Sequence, residues 1–417
     1  MNTSKKVSTA LVILILPILQ ACSAGAAWEG TVTDSAGIAV VHNPDVTLWR
    51  AGEEWTVTED LRIGTVAGDP EYQFGQLTFL DVGPDGTIYA MDFQASEVKV
   101  YDAQGTYVRT IGGPGQGPGE IGPNNAFVLV SPEKEVIVPD LTNGRVNFYT
   151  DDGEPKGSFP ISIEAGAPAL WAVDGSGRLM AQLRGLNVPG IAALQEGDPI
   201  VVYDTAGVVV DTVAVLPKGQ TLAGTSEEQF SIMVFAAEPI WDIATDGTVF
   251  YAMSDQYRIL VNDPQGDLVR IITRPYTPKP VEEQAEEAIR RLMRQQFTDL
   301  GLPPAQAEQF MSGVGFADYY PAFGQFFLGP DGSLWVQRVR SARDMADGAG
   351  EEFEFDPQDI GSPEWEVMDS EGRYLGVVTF PDRFRPVTAH GDRIYGIWAD
   401  ELDVQYVMRL RVERPAQ

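Results

Sequence analysis

The sequence predicts an all-β fold: a six-bladed β-propeller of four-stranded blades, closed by an N-terminal strand and carrying a small helical insertion. Three observations predict it. Short runs of alternating β-branched and aromatic residues recur between Gly- and Asp-rich turns, as half-buried antiparallel strands require. One such unit returns at a fixed period. One strand is left over near the start of the chain, and one is missing at its end.

Residues 77–112 are the clearest unit, with apolar runs at 79–82, 87–90, 98–101 and 107–111. Turn signals at Pro84-Asp85-Gly86, 92–96 and 102–105 separate them. A single sheet of this kind cannot bury both faces, so it must stack on copies of itself. A spacing of 48 residues relates Gly64 to Gly112, Phe79 to Phe127, Asp92 to Asp140, Val98 to Val146, Tyr101 to Tyr149 and Gly105 to Gly153.

Looser copies follow. First-to-second-strand turns are expected at Asp85-Gly86, Glu133-Lys134, 175–177, Asp246-Gly247, Asp331-Gly332 and Gly391-Asp392. Third-to-fourth-strand turns are expected at 102–105, 151–153, 204–207, 263–266 and 369–372. The last unit runs from Pro386 through residues 404–412 and lacks its fourth strand, while residues 55–63 form an orphan one. A ring in which the orphan completes the last blade explains both facts and leaves only short, protected edges. An open array or a pair of β-sandwiches, the alternatives, does not explain the two together.

The pattern Val98-x-Val100-Tyr101-Asp102-x-x-Gly105, followed by Ile111-Gly112-x-x-Gly115-x-Gly117-Pro118-Gly119-Glu120, resembles NHL-type six-bladed propeller lipoproteins of bacteria. Ile121 stands where that pattern implies an aromatic residue. The family is functionally broad, so the resemblance implies a fold rather than a reaction.

The N-terminus reads as a targeting segment. Lys5 and Lys6 precede an apolar stretch at 11–19, too short to span a bilayer stably. The sequence Leu19-Gln20-Ala21-Cys22 then resembles the lipobox of bacterial lipoproteins, with Cys22 as the lipid-attachment residue. The expected organisation is a signal peptide at 1–21, a tether and hairpin at 22–54, and the propeller at 55–417, with its helical insertion at about 278–313. The expected location is the bacterial cell envelope, on the periplasmic face or at the outer membrane, with the lipid as the membrane partner. Cys22 is the single cysteine, so no disulfide forms within the chain and the core alone must hold the fold.

The formal net charge is −31, and removing the segment takes away two lysines and no acid, giving −33. So acidic a body excludes nucleic acid as a partner unless a basic patch is built locally. The two histidines, His42 and His390, have no nucleophile in a recognisable elbow and cannot assemble a His-rich zinc site. The glycines of 112–119 lack a Gly-Lys-Ser/Thr ending and lead into a strand, which argues against a phosphate cradle.

Function is expected on one face. Second-to-third-strand loops at 185–198 and 340–363, and blade-to-blade loops at 112–124, 216–239 and 274–323, all emerge at the same end of their sheets. The largest has helical apolar spacing from Pro280 to Phe297, glutamates preceding arginines, a stop at Gly301 and a second helix at 303–311. It reads as a lid fringed by Phe316, Tyr319, Tyr320 and Phe323.

The residues that end each blade's second strand are Asp92, Asp140, Arg184, Ser254-Asp255, Arg338 with Arg340, and Asp400. Asp92, Asp140, Asp255 and Asp400 are weak candidates for holding Ca²⁺ at the channel mouth. Propellers of the gluconolactonase type place a metal there, but their Glu and Asn ligands have no match in this chain. Arg184, Arg338, Arg340 and Arg343, with Tyr319 and Tyr320, are the candidate ligand-binding residues, because guanidinium groups suit carboxylate or phosphate. The favoured function is capture of a ligand or protein partner by a lipid-anchored propeller. The alternative is a metal-dependent hydrolase, lactonase-like, or a lyase acting at the channel mouth.

Overall fold

The computed structural model describes residues 27–185, 197–219, 232–346 and 361–415. Four-stranded antiparallel sheets follow one another as six blades. Blade one is Leu77–Val82, Ile88–Asp92, Glu97–Tyr101 and Tyr107–Gly112, and blade two is Leu129–Val130, Val136–Asp140, Arg145–Tyr149 and Pro155–Pro160. Blade three is Ala167–Val173, Leu179–Arg184, Asp198–Tyr203 and Val209–Leu216, and blade four is Pro239–Ile243, Val249–Met253, Arg258–Asn262 and Leu268–Thr273. Blade five is Phe326–Leu328, Leu334–Val339, Gly361–Met368 and Tyr374–Thr379. Blade six takes Phe384–His390, Arg393–Ala399 and Gln405–Glu413 from the end of the chain and Thr56–Ile63 from its beginning.

The closing pair runs from Val407 opposite Ile63 to Glu413 opposite Thr56, so the expected ring closure is present. The turn chemistry explains why the blades form where they do. Asp102 accepts backbone N–H groups from Gln104 at 2.9 Å and Thr106 at 2.8 Å, and Asp204, Asp263 and Asp369 do the same in their own turns. In blade two the Thr150 hydroxyl substitutes, accepting from Glu154 N at 3.1 Å.

The glycine closing each of these turns has positive φ and also packs on the preceding blade. A Cβ at Gly207 would lie 2.3 Å from Phe159, and one at Gly372 2.6 Å from Ile272. The turn motif therefore sets both the hairpin and the spacing between blades.

Apolar side chains fill the gaps between blades. Tyr89, Met91 and Ile111 of blade one pack on Val128, Val136 and Tyr149 of blade two, and matching clusters bridge two to three, three to four, four to five, five to six and six to one. Each blade is buried on both sides by its neighbours, so its strands need not alternate strictly between apolar and polar.

The N-terminal segment does more than complete blade six. The hairpin Thr31–Ser35 with Ile38–His42 adds to the outer edge of blade four, where Ile38–His42 runs parallel to Leu268–Thr273 and makes a six-stranded sheet. The chain then crosses the outer edge of blade five. Buried Asn43 donates through Nδ2 to Gly372 O at 2.8 Å and accepts from Tyr374 N at 2.7 Å, and Trp49 N donates to Leu375 O at 2.9 Å. Trp49 lies 5.5 Å from Trp55, which begins the run into blade six.

The insertion carries α1 (Glu283–Asp299) and α2 (Pro304–Met311), with Gly301 at φ 71° between them. The first helix starts three residues later than Pro280, which instead forms a β-bridge with Tyr319. Ala285, Ala288 and Ile289 are its buried face, and Ala285 and Ala288 pack with Tyr320, Val339 and the short helix α3 (Ala342–Ala346). Residues 314–316 return through a parallel pairing with 232–234. Arg290 stacks on Phe316 at 4.7 Å, in place of the expected pairing with Glu286 one turn earlier, and Arg294 reaches Glu308 of α2 at 3.2 Å.

Two carboxylates stitch neighbouring inner strands. Asp81 of blade one accepts from Val130 N of blade two at 2.8 Å, and Asp242 of blade four accepts from Leu328 N of blade five at 2.7 Å. Both keep some accessible surface, yet protein surrounds them closely enough that desolvation outweighs their hydrogen bonds and pushes each up to about 6. A folded-state value above the unfolded 3.8 means the native state holds its proton longer. The contribution is thus fully present below the unfolded value and is lost as pH rises through about 6. The difference is at most about 3 kcal/mol per carboxylate. In thermal unfolding series, Asp81→Asn with Asp242→Asn is expected to reduce the fall in Tm between pH 4 and 7. An unchanged slope would show that other groups carry it.

Candidate functional site

A cavity of about 400 Å³ lies between blades four and five, on the face that bears the insertion. Three pieces of chain converge on it. Tyr257 comes from the second-to-third-strand loop of blade four, and Arg274, Tyr276 and Lys279 from the segment that follows its last strand. Blade five supplies Gln337, Arg338 and Arg340 around the end of its second strand, and Glu364 and Glu366 from its third. Pro321 and Ala322 close the cavity where the insertion returns.

Glu366, 4% exposed, organises the polar wall. Its carboxylate accepts from Tyr257 Oη at 2.6 Å, from Arg338 Nε at 3.0 Å and from Arg274 Nη1. Arg274 also lies flat over Tyr374 at 4.1 Å and donates to Asp45 O of the N-terminal strap at 3.4 Å. Arg338 reaches Glu364 at 3.2 Å. Burial works against both guanidinium charges, but Glu366 outweighs it and holds Arg274 and Arg338 above their ordinary value. Burial, with the carboxylate of Glu366 beside it, pushes the Tyr257 phenol far up, so Tyr257 is a fixed donor.

Lys279 Nζ donates to Asp344 at 2.6 Å and to Val339 O at 3.1 Å, which ties the start of the insertion to α3. Burial opposes ionisation of Asp344, but Lys279 and Ser341 hold it below the usual carboxylate range. Arg340 differs from its neighbours. It lines the cavity half-buried, and among the described residues its side chain makes no ion pair and no hydrogen bond.

The arginines and tyrosines expected to converge divide into two groups. Arg338 and Arg340 meet in the cavity. Arg184 stays in blade three, 3.3 Å from Glu238 and 3.8 Å from Asp198. Arg343 is exposed on α3, with its backbone N–H donating to Glu282 at 3.3 Å. Tyr319 is 54% exposed, whereas Tyr320 is buried and clasps the insertion by donating to Glu282 at 2.9 Å and accepting from Ala342 N at 3.4 Å.

The four aspartates considered for calcium sit in different blades. Asp92 accepts from Gly75 N, Gln76 N and Ala95 N at 2.8–3.2 Å, and Asp140 accepts from Gly122 N and Asn143 N at 2.9–3.0 Å. These carboxylates fasten the incoming blade-to-blade loop to the second strand. Asp400 caps its own turn through Leu402 N and Val404 N, and Asp255 is exposed. Among the described residues, no three His, Cys, Asp or Glu side chains form a metal-holding group. The glycine-rich loop points its carbonyls inward. Gln116, Gly117 and Glu120 donate none of their N–H groups to a shared cradle but offer carbonyl oxygens to Arg145 at 2.7–3.2 Å. Cys22 lies outside the described residues, as do parts of the expected loops at 185–198, 216–239 and 340–363.

Tyr257, Arg274, Lys279, Glu364 and Glu366 were missed by sequence reasoning. A signal existed for Glu366: strand register places it opposite Val336, as Lys99 is placed opposite Ala90 in blade one. A glutamate where a sister blade has a buried lysine marks a site that has exchanged its charge.

No protein-family model and no curated protein matches this chain. Among solved structures it is similar to a protein from Bacteroides fragilis described as exported, with TM-score 0.51 and 12% identity over 90% of this chain and 100% of that one. It is also similar to a DUF4221 family member from Bacteroides vulgatus, with TM-score 0.50 and 11% identity over 87% and 99% of the two chains. A weaker likeness, TM-score 0.42 at 12% identity over 86% and 99%, is to virginiamycin B lyase from Staphylococcus aureus. At these identities the first two likenesses bear on the fold alone, which is that of a propeller.

Replacing Glu366 by Gln leaves the enclosed Arg274 guanidinium, and the partly exposed Arg338 beside it, short of their counter-charge. The expected loss is about 3–5 kcal/mol in urea unfolding, the range for breaking one partner of a buried ion pair. A loss below about 1 kcal/mol would mean that the cluster is effectively solvated.

Proposed function

We propose that this chain is a lipid-anchored, NHL-type propeller of the bacterial envelope that captures a ligand or protein partner on its insertion-bearing face, with the cavity between blades four and five as the binding site. The observation that carries the reading is where the insertion is rooted. Its two ends, Tyr276 to Lys279 and Pro321 to Ala322, form walls of the cavity, and its buried helix face seats on Val339 and α3 beside it. A segment that both walls a cleft and is fastened to the neighbouring blade is well placed to govern entry.

Anchoring rests on residues 5–22. The basic residues, the short apolar stretch and Leu19-Gln20-Ala21-Cys22 are the features that lipid attachment at the cysteine requires.

Two variants test the two halves of this reading. Cys22→Ala is expected to move the protein from the membrane fraction to the soluble fraction and to abolish labelling by a fatty-acid probe. Replacing residues 277–321 with a short glycine-serine linker is expected to preserve cooperative thermal unfolding and to abolish capture of the envelope partner or ligand. Retained capture by a folded linker variant would exclude the insertion-bearing face.

A further inference from the structure

Blades one and two show what occupies the corresponding place when no insertion is present. The strand registers make Glu97, Arg145 and Glu364 equivalent, and likewise Lys99, Asn147 and Glu366. In blade one, Lys99 Nζ donates to Pro70 O at 3.0 Å, and Tyr101 Oη to Glu71 O at 2.7 Å. In blade two, Arg145 donates to the carbonyls of Gln116, Gly117 and Glu120, and Tyr149 Oη to Gly119 O at 3.3 Å. In both, donors on the third strand hold acceptor oxygens of the chain's own preceding loop.

Blade five keeps the place and changes the occupant. The preceding segment leaves as the helical insertion and returns at Pro321, and the cavity lies between its two ends. Glu364 and Glu366 replace the donors, but they hold Arg338 and Arg274 in front of them, so the wall again presents N–H groups. Four cations, Arg274, Lys279, Arg338 and Arg340, meet three carboxylates, Asp344, Glu364 and Glu366. The unmatched charge is Arg340, whose side chain has no partner among the described residues. Tyr276, Pro321, Ala322 and Val339 supply the apolar part of the lining.

We propose that the cavity binds a small organic oxyanion, a carboxylate or phosphate on a compact apolar body, with the anion at Arg340 and the body against Tyr276 and Val339. This rests on the ligand-capturing reading above and gives it a chemical class. A volume of about 400 Å³ suits a small metabolite rather than a folded partner. The Glu366 cluster is a pre-organised wall beside Arg340 in the same cavity, and its paired charges add no free negative charge.

Four probes of one shape decide the matter: naphthoate, naphthyl phosphate, naphthylmethanol and naphthylmethylammonium, titrated calorimetrically into the full chain. Saturable binding is expected for one or both anions, with the cation at least tenfold weaker, and the preferred anion identifies carboxylate or phosphate as the natural group. Arg340→Gln is expected to weaken the anion at least tenfold, the effect of one lost charge-assisted hydrogen bond, with Tm unchanged. Lys134→Gln, at a first-to-second-strand turn of blade two, should leave it unaltered. Equal affinity for the cation, or an Arg340→Gln variant that binds as the native chain does, would overturn the proposal. If no anion binds while the linker variant still loses its partner, the oxyanion class fails and the insertion-bearing face stands.

Discussion

A ring of sheets holds together only if its last blade is closed, and this chain closes it with residues more than three hundred positions apart. The pairing of Thr56–Ile63 with Gln405–Glu413 gives blade six its fourth strand. Without it, Met408, Leu410 and Val412 would lose one wall of their cluster, and the interface between blades six and one would lose Ile63. Closure here is reinforced upstream. The hairpin on blade four and the strap across blade five carry the N-terminal segment over two further blades before it reaches the sixth. Chain ends that would otherwise fray are distributed over three sheets, and the outer edges of blades four and five are covered in passing.

That strap also reaches the site. Asp45 offers its carbonyl to Arg274, the same guanidinium that Glu366 holds and Tyr374 supports from below. The strap that leads to the seam and the wall of the cavity are therefore joined through Arg274. In the unfolded chain these groups are separated by more than 200 residues, so the cluster forms only when blades four and five dock with the strap in place.

What could be read from the sequence follows from how local each feature is. The Asp-x-x-Gly turns were legible because four or five residues determine them, and the insertion's two helices were legible from apolar spacing and stopping glycines. The strap was not, because Asn43 and its partners at Gly372 and Tyr374 are linked by no pattern that a single sequence displays. Arginines show the same divide. Arg338 and Arg340 fall together because they are neighbours on one strand end, whereas Arg184 belongs to another blade and meets its own acids. Glu366 could have been noticed by aligning third strands, but its meaning lay in Arg274, which arrives from the adjacent blade.

The anion site proposed above, in a chain of net charge −31, must solve an electrostatic problem at short range. At physiological ionic strength the field of distant carboxylates is screened beyond about 8 Å, so the surrounding acidity governs approach more than binding. Inside the cavity the balance is set by groups in contact. Neutralising Arg274 and Arg338 with Glu366 and Glu364 sacrifices net positive charge, yet it offsets the repulsion between the two arginines and fixes the direction of their remaining N–H bonds. One uncompensated guanidinium beside such a frame can be selective where a loose cluster of mobile cations, in so acidic a protein, would collapse onto the nearest carboxylates. The buried glutamate is thus what allows a positive site to persist on a negative molecule.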